Sequence, residues 1–422
     1  MDTRVKELID FTKEKFGLDN YYLERHHIDR NVNIFNDTIY TLCMEWFPGH
    51  VFEQADDDSN PEGTAVIEID VNDHKFQSVI FVGGKSFANG MKFNSFNKQD
   101  VIRWIEQETQ LVYGKQFKLD REDEGEFYFK ACINGVTVSP FGFIEIKCDQ
   151  EGKLTFFSVD GEFPIKEIIK EDIYKLSLEK VQYIVKEQLK LSEFPSFEQE
   201  RLFPVYAIEE IYLTNDQMST IPFGFIDEMI SQFEIDKTIY WEEPIKKPFE
   251  GEEIHFTEDI TAEQAFSGER SPDSYPITKI EQEKCVTVVE DFLRQEYRDD
   301  TGKWILKTLH RDKGYIHAIV RLHKQESIVF QRKLTILIDA NILQVENYID
   351  NKPMLEIFNQ FQSTDEVSVT REQAYARFKD LIELTPVYVY NFKQKRYILC
   401  GKIDCHYGVD ASTGEVIALD DL

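Results

Sequence analysis

One segment near the C-terminal end combines cysteine and histidine in a way that could suit a metal ion. Cys400, Cys405 and His406 offer the thiolate and imidazole ligands that zinc prefers. Residues five apart on a strand point to opposite faces, and a structural zinc site needs four ligands, whereas no second Cys/His pair lies in local register. We therefore expect these side chains to be buried or surface strand residues, and the sequence predicts no metal site.

A phosphate-binding loop is the second chemistry to weigh. Gly83-Gly84-Lys85-Ser86 resembles the end of such a loop, but Val79 stands where the loop needs a glycine. The residues that follow, 87–96, are rich in glycine and asparagine and do not predict the helix that should come next. We therefore expect no nucleotide binding and no cofactor.

Catalytic motifs are absent from the sequence. It contains no Gly-x-Ser-x-Gly and no His-Glu-x-x-His, and no serine or cysteine lies in a context that singles out a base. Segments 56–60 and 121–125 lack the ligand ladder and closing glutamate of a calcium loop. Carboxylate pairs are so abundant that any choice among them would be arbitrary. The sequence nominates no catalytic, cofactor-binding or metal-binding residue, and it predicts a protein that is not an enzyme.

The net charge and the composition limit the class of partner that the protein can bind. The 422 residues include 78 acidic and 48 basic side chains, for a net charge of −30. This charge opposes binding to nucleic-acid phosphates or to anionic membranes, and it favours solubility or a basic partner. The length predicts two or three domains, and the 33 Phe and 19 Tyr residues favour sheet-rich cores.

The expected location follows from the N-terminal residues and the cysteines. Met1 is followed by an amphipathic helix pattern without an apolar signal core, and no apolar run is long enough to span a bilayer. We therefore expect a cytoplasmic protein without membrane insertion. The six cysteines are then expected to be reduced thiols; they are Cys43, Cys132, Cys148, Cys285, Cys400 and Cys405.

The last stretch, Val369–Leu422, contains Cys400, Cys405 and His406 and shows most clearly which secondary-structure elements the sequence predicts around them. Thr370 and Gln373 have the spacing of a capping box, and an apolar helical face follows them. Val387–Tyr390 and Tyr397–Cys400 are rich in β-forming residues and predict a hairpin. Because each element must cover its apolar face, we expect a helix lying on a small antiparallel sheet.

This stretch carries a family resemblance. Its VTREQAY helix start and its YGVDASTGEVI end resemble the PepSY domain, and the chain as a whole is similar to the YcdB/YcdC-type repeat proteins of Bacillus-like bacteria. The resemblance implies a protein that binds or inhibits partners, and it implies no shared catalytic residues. The expected cytoplasmic location departs from the envelope location of many PepSY proteins and argues against a propeptide role.

Two patterns recur along the chain. The turn Asp410–Gly414 has counterparts that begin at Asp70, Asp149 and Asp339. The clearest repeat is PFGFI, at residues 140–144 and again at 222–226, followed by Glu145 in one copy and by an aspartate in the other. A binding loop is one interpretation; we favour a Pro/Gly strand start that recurs because the repeat recurs.

These patterns predict an α+β fold of tandem PepSY-like repeats, each a helix packed on a small antiparallel sheet. The predicted repeats cover residues 1–93, 94–168, 169–244, 275–353 and 366–422, and residues 245–274 form an acidic linker, with the main boundary near residue 270.

The predicted function is that of a non-catalytic binding or regulatory protein, a peptidase-modulating or protein-interaction scaffold. Its partner is expected to be another protein or a peptide, held at a sheet edge or on an aromatic surface. The alternative is a hydrolase with its active site in an inter-domain cleft, and a largely structural role also stays open. The sequence leaves the oligomeric state open.

Overall fold

A computed structural model describes residues 1–49, 60–93, 97–223, 233–256, 258–323, 330–362 and 365–422. The chain has an α+β fold in which sheets dominate. The α-helices in these ranges are α1 (Thr3–Lys15), α2 (Lys98–Thr109), α3 (Leu178–Gln188), α4 (Ala262–Ser267), α5 (Lys279–Glu296), α6 (Lys352–Glu356) and α7 (Arg371–Phe378). None of these helices is both long enough and apolar enough to cross a bilayer.

The strands outnumber these helices and contain most of the buried residues. They are β1 (Tyr21–Val32), β2 (Thr38–Pro48), β3 (Ala65–Asp70), β4 (Phe76–Phe81), β5 (Phe117–Asp123), β6 (Glu126–Ile133), β7 (Val136–Ser139), β8 (Phe143–Cys148), β9 (Leu154–Asp160), β10 (Leu189–Ser196), β11 (Arg201–Ile208), β12 (Ile211–Thr214), β13 (Thr220–Pro222), β14 (Phe233–Ile239), β15 (Trp304–Asp312), β16 (Tyr315–Leu322), β17 (Lys333–Asp339), β18 (Val345–Asp350), β19 (Glu383–Asn391), β20 (Arg396–Asp404), β21 (Tyr407–Asp410) and β22 (Val416–Ala418).

The chain forms two compact units, and each is built from three segments. The first unit comprises Met1–Lys170, Thr257–Ser274 and Tyr388–Ile398. The second unit comprises Glu171–Phe256, Tyr275–Val387 and Leu399–Leu422.

The first unit is organised on one large sheet with the strand order β1-β2-β3-β4-β9-β8-β6-β7, and β5 pairs with β6. Alternation along the strands decides which face is buried: in β3, Ile67 and Ile69 are fully buried, whereas Glu68 between them is not. The alternation of isoleucine with acidic residues at positions 67–70 predicts a half-buried strand from the sequence, and the structure confirms it. Helices α1 and α2 contribute residues to the same single core.

The tandem repeats are not confirmed by this arrangement. Residues of both 1–93 and 94–168 enter one core, and β4 pairs directly with β9 across the predicted boundary. The boundaries of the five repeats stay predictions. What the structure shows is a mixed α+β chain whose sheets join segments that are far apart in sequence.

The second unit contains two separate cores. One is formed by α5 against the antiparallel sheet β14-β15-β16-β17-β18. The other is formed by α3 and α7 with strands that include β11, β12 and β21. Because β21 pairs with β11, the C-terminal stretch completes its sheet with residues from around position 205.

Local signals of the sequence are confirmed at helix starts. The spacing of Thr278 and Glu281, like that of Thr370 and Gln373, predicts a capping box, and both boxes are formed, with the threonine side chain accepting from the backbone N–H three residues on. Asn97 is of a type that favours helix N-caps, and it caps α2. The sequence also predicts a short helix near residues 262–266; this is α4, which begins with a capping box at Thr261.

The four aspartate turns are also confirmed, and they share one geometry. In each, the aspartate carboxylate accepts a hydrogen bond from the backbone N–H two residues on. The pairs are Asp70–Asn72 at 2.7 Å, Asp149–Glu151 at 2.9 Å, Asp339–Asn341 at 2.7 Å and Asp410–Ser412 at 2.7 Å. These carboxylates are therefore used by the backbone of their own turns.

Other segments differ from the prediction. The apolar residues at 32–35 predict a strand, but only Val32 lies in one, as the last residue of β1. A turn follows, because the Asn33 side chain accepts from the N–H groups of Phe35 and Asp37. The β-forming residues at 205–213 predict one strand, whereas the structure has two in this region, β11 and β12. In the predicted linker, Ala265 is fully buried in the core of the first unit, and Phe249 packs on Phe292 in the second.

The PFGFI repeat is only partly described. Pro140 lies between β7 and β8, and it precedes a strand as the sequence suggested. Pro222 instead ends β13. Residues 224–226 of the second copy lie outside the described residues.

Candidate functional site

A row of polar side chains crosses the sheet of the first unit. Residues directly opposite on paired strands share one face, so the strand register aligns them across the sheet. The row, called here the polar row, consists of His27, Cys43, Glu68, Ser78, Ser158, Glu145 and Tyr128, each the register partner of the next. Their sequence neighbours Leu42, Ile67, Val79, Phe157 and Ile144 lie in the core, so the polar row occupies the opposite face.

Three strands bring four potential ligands together at the β1 end of the polar row. His27 Nε2 lies 3.3 Å from Asp29 Oδ2. The Cys43 thiol donates to Asp29 Oδ2 at 3.4 Å and to Glu68 Oε1 at 3.7 Å. Ligand atoms of His27, Asp29 and Cys43 all lie within 4.8 Å of one another. We call these four residues the thiol cluster.

Burial and charge set the protonation state of the thiol cluster. Burial raises the pKa of Cys43 far above its usual range, and the charges of Glu68 and Asp29 raise it further. Burial also raises the pKa of Glu68. The Cys43 side chain is therefore a protonated thiol at neutral pH, and it is not activated as a nucleophile. A bound cation would reverse this, because it favours the thiolate.

The other end of the polar row is neutralised by its own ion pairs. The Lys147 ammonium lies 2.9 Å from Glu145 and 3.5 Å from Glu126. The Tyr128 hydroxyl donates to Glu126 at 2.7 Å, and the Arg121 guanidinium lies 4.0 Å from the centre of the Tyr128 ring. The carboxylates at this end of the polar row already pair with Lys147 or Tyr128, so a surface network of ion pairs and hydrogen bonds explains it best.

A groove in the second unit is the other candidate. Two cavities, of about 260 Å³ and about 240 Å³, are both lined by Tyr375. Helices α3 and α7 supply most of the lining, which comprises Lys186, Glu187, Leu189, Arg371 and Glu372 on one side and Leu178, Glu179, Gln182, Val185 and Ile382 on the other. We call this the Tyr375 groove.

Two contacts hold the helices of the Tyr375 groove in place. The Arg371 guanidinium donates to the carbonyl oxygen of Lys186, and the Lys186 ammonium lies 5.1 Å from the centre of the Tyr375 ring. Below them, Val185 and Leu189 belong to a core of the second unit. The groove thus combines an apolar floor with charged sides.

A buried histidine pair lies elsewhere in the second unit. His310 and His317 are opposite each other on β15 and β16, with ring centroids 4.8 Å apart. Burial lowers the pKa of His310 to about 4 and also lowers the pKa of His317. Among the described residues, no hydrogen-bond partner reaches His310 Nδ1 or His317 Nε2. Both rings are neutral at pH 7.

The residues that the sequence singled out do not converge. Cys400 and Cys405 are both buried, and the Cys405 thiol donates to the Leu381 carbonyl at 3.6 Å, whereas His406 is exposed. Lys85 pairs with Glu62 at 2.8 Å at the surface. The thiol cluster was missed because its members come from three strands, and only their register brings them together.

Comparison with known proteins adds little. No family model matches the chain, and no curated protein matches it. The solved structure of the YpeB C-terminal domain of Bacillus megaterium is similar at a TM-score of 0.25 and 10% identity, over 82% of this chain and 96% of that one. A likeness this distant carries no argument about function.

Proposed function

We propose that the chain is a non-catalytic binding protein of PepSY-like plan whose partner is a peptide segment of another protein, held in the Tyr375 groove. The observation that supports this most is the pair of cavities that share Tyr375. Their combined volume is that of a site for two or more side chains, since ligand pockets measure about 300–1,000 Å³.

The lining of the groove favours a peptide over a small polar metabolite. Leu178, Val185 and Ile382 offer apolar surface to one side of Tyr375, and Leu189 offers it to the other. Successive apolar side chains of an amphipathic peptide would fill the two cavities as anchors, as in helix-in-groove recognition.

Charge selects the kind of peptide. Three glutamates, at positions 179, 187 and 372, line the groove beside Lys186 and Arg371. The two cations already contact a tyrosine ring and a backbone carbonyl. The whole chain carries a net charge of −30. Both observations favour an apolar peptide with positive charges, which the field of the protein would attract.

Among the described residues, one thiol with a histidine and a carboxylate close by offers no support for the hydrolase alternative. Cys43 lies beside His27 and Asp29, but the raised pKa of Cys43 keeps it protonated. A cysteine hydrolase needs the thiolate form for attack. We therefore propose binding and not catalysis.

The test is selection of peptides from a random displayed library against the whole protein, followed by titration calorimetry. We expect peptides with apolar anchors and net positive charge, and we expect Tyr375→Ala to weaken them at least ten-fold, about 1.4 kcal/mol. Tyr183→Ala is the matched control, because Tyr183 lies on α3, is 59% exposed and lines neither cavity.

Two outcomes would overturn the proposal. Equal weakening by Tyr375→Ala and Tyr183→Ala would place binding elsewhere. Failure of the library to yield any peptide that the folded protein binds would remove the peptide as the partner.

A further inference from the structure

We propose that the thiol cluster, His27, Asp29, Cys43 and Glu68, is a binding site for a divalent transition metal of the zinc class. This goes beyond the proposed peptide binding and does not depend on it. The cluster lies on the polar face of the first unit's sheet, whereas the Tyr375 groove lies in the second unit.

The spacing of the donor atoms is the first support. Around a tetrahedral zinc ion with bonds of about 2.0–2.3 Å, neighbouring ligand atoms are about 3.3–3.6 Å apart. The nitrogen–oxygen distance between His27 and Asp29 is 3.3 Å. The sulfur–oxygen distances from Cys43 are 3.4 Å to Asp29 and 3.7 Å to Glu68. These three pairs have nearly the separations that a shared metal ion imposes. His27, Asp29 and Cys43 all lie within 4.8 Å of one another, and Glu68 joins this group through its contact with Cys43.

The strand register holds these atoms in place. His27 is directly opposite Cys43, and Cys43 is directly opposite Glu68, on three consecutive strands of one sheet. Asp29 lies two residues after His27 and therefore on the same face. Cys43 is only 6% exposed, whereas His27 and Asp29 are exposed. The site thus has a rigid base and an open side through which an ion can enter.

The donor set selects the class of metal. A thiolate, an imidazole and carboxylates are the ligands of zinc and of cobalt used in its place. Magnesium and calcium take oxygen ligands and have no use for the sulfur. Binding is a balanced exchange, in which the metal forms a bond to the Cys43 sulfur and the thiol proton leaves to solvent.

A site of ordinary surface hydrogen bonds is the competing explanation, and cobalt distinguishes the two. Bound to a thiolate, Co²⁺ gives a sulfur-to-metal charge-transfer absorption and the visible bands of a tetrahedral ion. We expect the full-length protein to bind one equivalent of Co²⁺ with these bands. Zinc should displace the cobalt, and a large excess of magnesium or calcium should not.

Variants of the three mutually close ligands, Cys43, His27 and Asp29, test the site. We expect Cys43→Ala to abolish the charge-transfer band and to weaken zinc binding at least 100-fold in competition with a chromophoric chelator. We expect His27→Ala and Asp29→Asn to weaken it at least ten-fold. His26→Ala is the matched control, since His26 neighbours His27, is exposed and points to the other face of β1, opposite Met44.

Folding is controlled separately. Asp29→Asn changes an exposed side chain, so that this variant keeps the proposal testable if Cys43→Ala fails to fold. Retention of the charge-transfer band in folded Cys43→Ala would overturn the proposal. So would absence of Co²⁺ binding to the wild type, or an equal loss of affinity in His26→Ala and His27→Ala.

Discussion

Each unit contains a histidine directly opposite a potential ligand on the next strand, but the two pairs have different surroundings. In the first unit, His27 faces Cys43 across β1 and β2; in the second, His310 faces His317 across β15 and β16. The first pair has carboxylate oxygens from Asp29 and Glu68 beside it. The second is buried, and its rings pack on each other.

The difference shows what turns a cross-strand pair into a candidate site. The register is equivalent in both places, so the backbone alone does not decide the role. Carboxylates and partial exposure give the thiol cluster a net attraction for cations. Burial instead keeps His310 neutral, and Lys333 and His317 oppose its protonation further.

The first prediction, which has the largest expected effect, is that acid destabilises the second unit. The pKa of His310 is lowered from 6.5 to about 4, so the unfolded chain takes up a proton first as the pH falls. Stability is fully present above pH 6.5 and is lost on acidification toward pH 4, by up to about 3 kcal/mol. Hydrogen exchange of β15 and β16 amides, measured across this range, should show the loss.

His310→Gln provides the control for this prediction, because its side chain does not titrate. In this variant we expect the exchange of β15 and β16 to depend much less on pH between 6.5 and 4. A slope as steep as in the wild type would show that groups other than His310 carry the effect.

The second prediction adds metal and asks whether only one pair responds. At a free zinc concentration 100 times the dissociation constant, binding stabilises the site by about 2.7 kcal/mol. We expect amides of β1, β2 and β3 to exchange about 100-fold more slowly, wherever their opening destroys the site. Removal of zinc with a chelator should restore the original rates.

Amides of β15 and β16 should not respond to zinc. If these amides were protected and those of β1 to β3 were not, the roles assigned to the two pairs would be reversed. Measurement at pH 7 keeps His310 neutral in both conditions, so its titration does not interfere.

The third and smallest prediction concerns a group of the first unit with the opposite pH response. Burial raises the pKa of Glu162 from 4.5 to about 7, although a hydrogen bond from Asn33 lowers it, and the charge of Asp37 adds to the increase. The unfolded chain therefore ionises first as the pH rises, and stability is lost between pH 4.5 and 7. For this half-buried side chain we expect a loss of about 2 kcal/mol.

Glu162→Gln should remove that loss. We expect the variant to be more stable than the wild type at pH 8 and nearly equal to it at pH 4.5, measured by denaturant unfolding followed in the first unit by exchange of β8 and β9 amides. Equal stability at both pH values would contradict the assignment, and the two units would no longer differ in the sign of their pH response.

The sequence predicted local structure well, since local structure depends on few residues. The capping boxes at Thr278 and Thr370 and the turns at Asp149 and Asp410 are each specified within about five residues. Alternation placed Ile67 and Ile69 on the buried face for the same reason.

Pairing between distant segments could not be predicted in this way. The pairing of β11 with β21 joins residues near 205 to residues near 410, and no local pattern encodes it. Such contacts contribute to two units of three segments each, and the tandem repeats that the sequence predicts are not confirmed.

The thiol cluster was missed for a related reason. Its first strand, Tyr21–Val32, carries charged residues and histidines at consecutive positions and has no clear apolar alternation. Once that strand is placed, alternation puts His27 and Asp29 on one face, but Cys43 and Glu68 follow only from register. The sequence shows which residues supply donor atoms, but it does not show the strand register that brings them together.

The return of Tyr388–Ile398 to the first unit has a consequence for synthesis of the chain on the ribosome. Strand β19 pairs in parallel with β7, where Tyr388 lies opposite Val138. At about 5–20 residues per second, roughly 10–50 seconds separate the emergence of these two strands. During this interval the edge of β7 lacks this partner and can accept other strands. A nascent chain stalled before residue 388 should therefore be the form most prone to aggregate and most dependent on chaperones.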